Sequence, residues 1–391
     1  MNERGGERRA SVWNVVALIA TLGLATVVAV VAVARSDRGA PEAAPAPTSP
    51  SPSPSATVPG GLGGKGPYVI YALPGGAVYA YDVGLDQQTT LGTIEGEPTG
   101  ERSRQPGNGR VVAFPTAEGV VWRVTVQGLD LVGKIPGSAG DDFAGSAVST
   151  DGRRMAVAAL RPVAALVLVE LDSGRASVLK RSGSGYPDDP LLPIAWSLGG
   201  DLVYQIPFCE CDAGDTGLYA YDLSSNRSAV VSPTGSTPFY RFAMSSDGQE
   251  LYYGTATERR CRANETDPCF GGPYALRRLA AGRPTTSVLE RSDGRSFTAA
   301  AASPDGGFVA VDRGGTTELY TNEGDLLPRS TLAGLPEGAE VVALLPDDVI
   351  VARVGGPTAS TLVVVHRGRS RTIISIPSTT DGAPMYLGWL R

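Results

Sequence analysis

Hydrophobic positions divide the chain into three stretches. Val12 to Ala34 is an unbroken apolar run without a charge, and only Asn14, Thr21 and Thr26 are notably polar. As a helix at about 1.5 Å per residue it would span roughly 34 Å, enough for a bilayer core. Between Gly39 and Gly64 the chain falls into low complexity, dominated by alternating Pro with Ser and Ala and ending in Gly. Such a segment buries little and favours an extended polyproline II stalk at about 3.1 Å per residue. From Pro67 onward the pattern becomes short β-type runs bounded by Gly, Pro, Asp and Asn.

One unit recurs in the third stretch: an apolar run, a Ser-x-Asp-Gly turn, a second apolar run, a gap, a third run often containing Tyr, and a weaker fourth. The turn appears as Ser149-Thr150-Asp151-Gly152, Ser245-Ser246-Asp247-Gly248 and Ser303-Pro304-Asp305-Gly306. Degenerate copies are Gly107-Asn108-Gly109, Ser197-Leu198-Gly199-Gly200 and Leu345-Pro346-Asp347-Asp348. Successive steps from Asn108 to Asp151, Gly199, Asp247, Asp305 and Asp347 are 43, 48, 48, 58 and 42 residues. Asp-Gly and Asn-Gly favour hairpin turns because φ > 0 is cheap for them. Asp151, Gly152, Asp247, Gly248, Asp305 and Gly306 are therefore read as turn residues. Second strands are predicted at Arg110-Phe114, Arg154-Leu160, Asp201-Ile206, Glu250-Thr255, Phe308-Asp312 and Val349-Val354.

A period of about 40–50 residues with four strands per unit is the signature of a β-propeller. Stacking the units buries faces that a lone sheet would leave exposed. The first unit, Pro67 to Ile94, shows only three strands. The chain ends in the apolar run Pro384 to Leu390, which resembles Leu192 to Ser197, the first run of another unit. The C-terminal strand is expected to complete the first blade. The fold class is all-β, a seven-bladed propeller (six and eight being the neighbouring counts) preceded by one transmembrane helix. Residues 1–11 form a cytoplasmic tail, 12–34 the helix or a signal peptide, 35–66 the linker and 67–391 the propeller.

The Ser-x-Asp-Gly turn between two apolar strands resembles the WD-repeat-like, TolB-like propellers of bacterial envelopes. The resemblance covers Pro67 to Arg391 as a short repeated pattern, and the Gly-His and Trp-Asp signatures of eukaryotic WD repeats are missing. It implies a fold and a general binding habit, and transfers no catalytic residue.

Arg4, Arg8 and Arg9 precede the apolar run, against Glu3 and Glu7; Arg35, Asp37 and Arg38 follow it. A short tail before the helix and a large domain after it give an N-in, C-out reading, with the propeller on the outer face of the cell membrane. Ala32-Val33-Ala34 matches a small-residue cleavage site, which would make the domain secreted, although the run exceeds the usual hydrophobic region of about 7–15 residues. Both readings export the propeller.

Composition adds to this. Gly is 50 and Pro 30 of 391, above the usual shares of about 7% and 5%, as many turns require. A net charge of −6 argues against a nucleic-acid surface. The single histidine, His366, excludes a multi-histidine metal site, and it stands at a strand end without a nucleophile elbow. No phosphate loop or dinucleotide fingerprint occurs, so no cofactor, metal or catalytic residue is assigned. Paired carboxylates exist at Asp141-Asp142, Asp188-Asp189 and Asp347-Asp348, the basis of a carboxylate-dependent glycan enzyme as an alternative.

All four cysteines fall on the exported side: Cys209 and Cys211 between the second and third strands of the fourth unit, Cys261 and Cys269 in the same gap of the fifth. An even count outside the cytoplasm points to disulfides. Pairing 209–261 with 211–269, or 209–269 with 211–261, would tie adjacent blades; 209–211 with 261–269 would keep each bridge in its own loop. The C-x-C and C-x7-C spacings are not those of a zinc site. The functional expectation is a stalked binding or scaffold module for an envelope protein or cell-wall polymer. The ectodomain of a sensor complex is a further alternative.

Overall fold

Seven antiparallel sheets form the ring. The computed structural model describes residues 56–57, 61–99, 108–136, 143–160, 164–181, 191–197, 199–206, 217–231, 236–259, 269–280, 285–356, 359–377 and 382–391. Blade 1 joins β27 (Met385–Leu390) to β2 (Tyr68–Ala72), β3 (Ala77–Asp82) and β4 (Gln87–Thr93). Blade 2 holds β5 (Val112–Pro115), β6 (Val120–Thr125) and β7 (Gly128–Lys134), with β1 (Ala56–Thr57) on its outer edge. Blade 3 runs β8 (Phe143–Val148), β9 (Arg154–Ala159), β10 (Ala165–Glu170) and β11 (Ala176–Arg181). Blade 4 runs β12 (Leu192–Trp196), β13 (Leu202–Ile206), β14 (Gly217–Asp222) and β15 (Arg227–Val230). Blade 5 runs β16 (Ser236–Met244), β17 (Glu250–Arg259), β18 (Cys269–Ala280) and β19 (Thr286–Arg291). Blade 6 has β20 (Thr298–Ala302), β21 (Phe308–Asp312) and β22 (Thr317–Thr321). Blade 7 runs β23 (Glu340–Leu345), β24 (Val349–Gly355), β25 (Ala359–His366) and β26 (Arg369–Pro377).

The expected closure is present. β27 pairs antiparallel with β2, from Tyr68 opposite Leu390 to Ala72 opposite Met385. The second strands lie within two residues of their predicted starts, and Phe308–Asp312 coincides with its prediction.

Side-chain alternation explains the packing. A strand sends successive residues to opposite faces, and in a propeller each face meets a different neighbour. Ile70 and Ala72 of β2 pack with Val112 and Phe114 of blade 2, whereas Val69 and Tyr71 pack with Val349 and Val351 of blade 7. A similar apolar cluster fills each of the other five inter-blade junctions. Middle strands, covered on both sides, are nearly continuous apolar runs; β2 is buried throughout, whereas the outer strand β15 is exposed throughout.

Two features depart from the sequence expectation. The linker does not stay solvated to its end: Ala56 and Thr57 pair with Leu129 and Gly128 of β7, and Leu62 donates its N–H to Val126 O at 2.7 Å. Leu62 also packs on the junction of blades 1 and 2, which gives the segment apolar area to bury. Blade 6 has three strands instead of four. Leu326 bridges Tyr320 and Leu327 N–H reaches Leu319 O at 2.8 Å, but Pro328 follows and the chain turns into a short 3-10 segment, Arg329–Leu332. Proline has no N–H to continue a ladder.

The apolar run 12–34 lies outside the described residues; among those described, no helix is long and apolar enough to cross a membrane.

Candidate functional site

The up-and-down course of each blade gives the ring two unlike faces. One carries the turns between first and second strands and between third and fourth. Its Ser-x-Asp-Gly turns are closed on themselves. Ser149 Oγ donates to Asp151 Oδ1 at 2.6 Å, Arg153 N–H donates to the same oxygen at 3.0 Å, and Arg154 N–H donates to Ser149 Oγ at 2.9 Å. The same three bonds recur around Ser245 and Asp247, and around Ser303 and Asp305. Gly152, Gly248 and Gly306 have φ of 72°, 73° and 71°, where a side chain is strained. The Ser303 hydroxyl and then the Gly307 N–H hold the Asp305 carboxyl below its ordinary range. At Asp151 burial pulls upward, but Ser149, Arg153 N–H and Arg154 outweigh it and the net direction is down. In each of the three turns the Ser hydroxyl and one Asp oxygen are engaged within the turn itself.

The opposite face carries the connections between second and third strands and between blades. Blade 5 stands proud of it. β17 and β18 span ten and twelve residues, longer than the other second and third strands described. Beyond a bulge at Thr255–Thr257 they continue pairing through Glu258 opposite Phe270 to Arg259 opposite Cys269, while Ser236–Pro238 of β16 pairs alongside. Cys209, Cys211 and Cys261 lie outside the described residues. Cys269 opens β18 on this face, as do Ile206 and Gly217, which flank the segment bearing Cys209 and Cys211. A cleft of about 430 Å³ opens on the same face beside blade 1, walled by Leu73, Pro74, Pro98 and Met385 together with Glu97.

At this face the inner strands meet in a charged cluster. Arg241 of β16 bonds Glu340 of β23, two blades away, and Arg353 Nη2 donates to the other Glu340 oxygen at 2.9 Å. Register places Glu340 opposite Arg353 and Thr298 opposite Asp312, while Arg241 sits in the bulge of β16 between Pro238 and Phe242. β20, the inner strand of the blade between them, reads Thr-Ala-Ala-Ala-Ala and is small in side chain. Burial would raise the Glu340 carboxyl; Arg353 and Arg241 outweigh it and hold the group below its ordinary range. Nothing in the sequence signals this cluster, because Arg241 and Glu340 are 99 residues apart and fall at different offsets from their turns.

Arg313 locks the connection from blade 5 to blade 6. It is 7% exposed, grips both Asp293 oxygens at 2.8 and 2.6 Å and lies 4.5 Å over the Phe297 ring. Burying a guanidinium needs such pairing. The Arg313 hydrogen bond holds Asp293 below its ordinary range.

Among the paired carboxylates, Asp347 and Asp348 form the tight turn between β23 and β24 with φ of 62° and 58°. Asp141-Asp142 and Asp188-Asp189 lie outside the described residues. His366 ends β25 at the Arg367–Gly368 turn, and its Nε2 is buried without a hydrogen bond. Among the described residues no group of three metal-ligating side chains converges.

No family model and no curated protein sequence matches the chain. Solved structures do. An oligogalacturonate lyase in complex with manganese is 11% identical, with 78% of this chain and 83% of that one covered and a TM-score of 0.48. A Mycobacterium tuberculosis puromycin-hydrolyzing peptidase is 16% identical at a TM-score of 0.49, covering 78% of this chain and 53%, about half, of that one. The β-propeller domain of Myceliophteria thermophila Cps50 (Swd1) is 13% identical at a TM-score of 0.46, covering 73% and 89%. At such identity the likeness concerns the fold alone.

Proposed function

We propose that the chain is a membrane-anchored, extracytoplasmic β-propeller acting as a binding or scaffold module for an envelope protein or wall polymer. The observation that carries this reading is the unequal construction of the two faces. On the turn face, three Ser-x-Asp-Gly turns engage their Ser hydroxyl and one Asp oxygen internally. The connection face carries the raised blade 5 hairpin, the cleft beside Pro74 and the Arg241–Glu340–Arg353 cluster. Binding residues concentrate on connections held by a rigid scaffold. The apolar run 12–34 and the Pro-rich linker supply anchor and stalk, and export favours oxidation of Cys209, Cys211, Cys261 and Cys269. Asp151, Asp222, Asp293, Asp305 and Glu340 are all held below the ordinary carboxyl range, the opposite of what a general acid needs.

Crosslinking of the full-length chain in intact cells tests the proposal. The chain is expected in the membrane fraction, with one envelope protein recovered in near-equal amount or wall polymer retained. Recovery of the chain in the cytosol, or alone after crosslinking, would overturn it.

A further inference from the structure

The outer rim of the ring leaves one sheet edge open. Each blade ends in an outer strand whose far side can pair with another chain, and natural sheets guard such edges with charge, proline or a covering segment. Lys180 stands on β11, Arg227 on β15, Arg291 on β19 and Arg369 on β26. β7 is covered by Ala56–Thr57, and β22 by Asp325 and Leu327, which bond Thr321 and Leu319. β4 carries neither charge, proline nor cover. It reads Gln-Gln-Thr-Thr-Leu-Gly-Thr, and only Leu91 is buried. Its ladder runs to β3 alone, regular from Gln87 to Thr90 before a bulge at Leu91. On its far side no backbone hydrogen bond is made from Gln87 to Thr93 among the described residues. Leu85, 56% exposed, stands on the turn that leads into it.

We propose that β4 is the contact through which two copies of this chain associate, edge to edge about a two-fold axis. A symmetric pair sets the same strand antiparallel to itself. Opposed residues in an antiparallel ladder share their hydrogen-bond phase, so the axis falls on a residue and not between two. Placed at Thr89, it sets Gln88 opposite Thr90 of the second copy. It also keeps the two Asp86 carboxylates well apart, and each already has Arg371 as its own partner. No like charges then oppose each other across the contact, whereas the same pairing on β11, β15 or β26 would add basic side chains from both copies. The lack of charge on β4 therefore fits a second β4. The regular edge is short, and anchoring through the apolar run 12–34 would hold two copies in one membrane and raise their effective concentration. That last step rests on the proposed anchor; the edge pairing does not.

Sedimentation equilibrium of the full-length chain in density-matched detergent tests the proposal. Wild type is expected to show a reversible monomer–dimer equilibrium. Thr89→Lys and Thr89→Glu each set like charges directly opposite one another, and each alone should weaken dimerisation about fivefold. An equal mixture of the two variants sets Lys opposite Glu and should recover the wild-type dimer. That recovery also shows that both variants are folded. Val230→Lys, on the exposed outer strand β15, should leave the equilibrium unchanged. A monomeric wild type, or unweakened dimers in both Thr89 variants (the result expected if the N-terminal helix alone pairs), would overturn the proposal. So would a mixture that fails to recover, or an equal loss in Val230→Lys. Any of these, with an envelope partner still crosslinked in cells, would leave the scaffold reading standing.

Discussion

The backbone N–H of Arg391 donates to the carbonyl of Gly109 at 2.7 Å, so the last residue of the chain is tied to the turn that opens blade 2. Leu390 forms a parallel bridge to the same glycine, and a Cβ on Gly109 would fall 2.6 Å from the Trp389 ring. The closure of blade 1 thus has a clasp beyond the β27–β2 ladder.

Gly109→Val should loosen that clasp. The new side chain meets Trp389 and is strained at φ 80°, for a cost of about 2–4 kcal/mol. Deleting residues 385–391 should abolish cooperative unfolding altogether. Thermal unfolding of the full-length chain in detergent checks both.

The docked linker makes a paired test possible. A Cβ on Gly64 would fall 1.6 Å from Asp82 Oδ2, whereas one on Gly63 meets nothing within 4 Å. Gly64→Ala should lift the segment off blade 1, cost about 1–3 kcal/mol and speed exchange of the Leu62 amide; Gly63→Ala should do neither. Burial, followed by the Asp82 charge, raises the Tyr68 hydroxyl above its ordinary value, and Gly64→Ala should lower it as water enters.

The turn carboxylates predict a pH dependence. Asp151 and Asp305 have folded values below their unfolded ones. Their stabilisation is fully present above the unfolded value of about 4 and is lost as pH falls through the folded values. Wild type should exceed the double variant Asp151→Asn with Asp305→Asn in urea midpoint at pH 6, and the gap should narrow by pH 3.

Trp196 latches blade 4 to blade 3, its Nε1–H donating to Ala147 O at 2.9 Å with Arg154 5.1 Å over the ring. Trp196→Phe should leave that buried carbonyl short of a donor and cost about 1–3 kcal/mol, read as a lowered unfolding midpoint. Arg313→Met should loosen the blade 5 to blade 6 connection more than it lowers global stability, read as faster exchange around Phe297.

Much of the ring was legible because its signals are local. The Ser-x-Asp-Gly turns write their hydrogen bonds within five residues, and the phrase Tyr-Ala-Tyr-Asp occurs at both Tyr79–Asp82 and Tyr219–Asp222, in third strands of two blades. Tyr71 stacks on Tyr79 at 5.5 Å and Tyr204 on Tyr219 at 5.3 Å, each pair crossing the second and third strands of its blade. The two copies differ in burial, since Asp82 is 5% exposed and Asp222 is not buried. The docked linker places Gly64 against Asp82, and no repeat pattern records that. Arg241 and Glu340 were illegible as well: they lie 99 residues apart, and Arg241 sits in a bulge.

If the propeller is a binding module, its connection face meets the partner. A photoreactive residue placed at Gly75 or Gly272 on that face, or at Ser225 or Arg367 on the turn face, tests it in intact cells. Adducts are expected from Gly75 and Gly272 and none from Ser225 and Arg367. Adducts confined to the turn-face positions would contradict it.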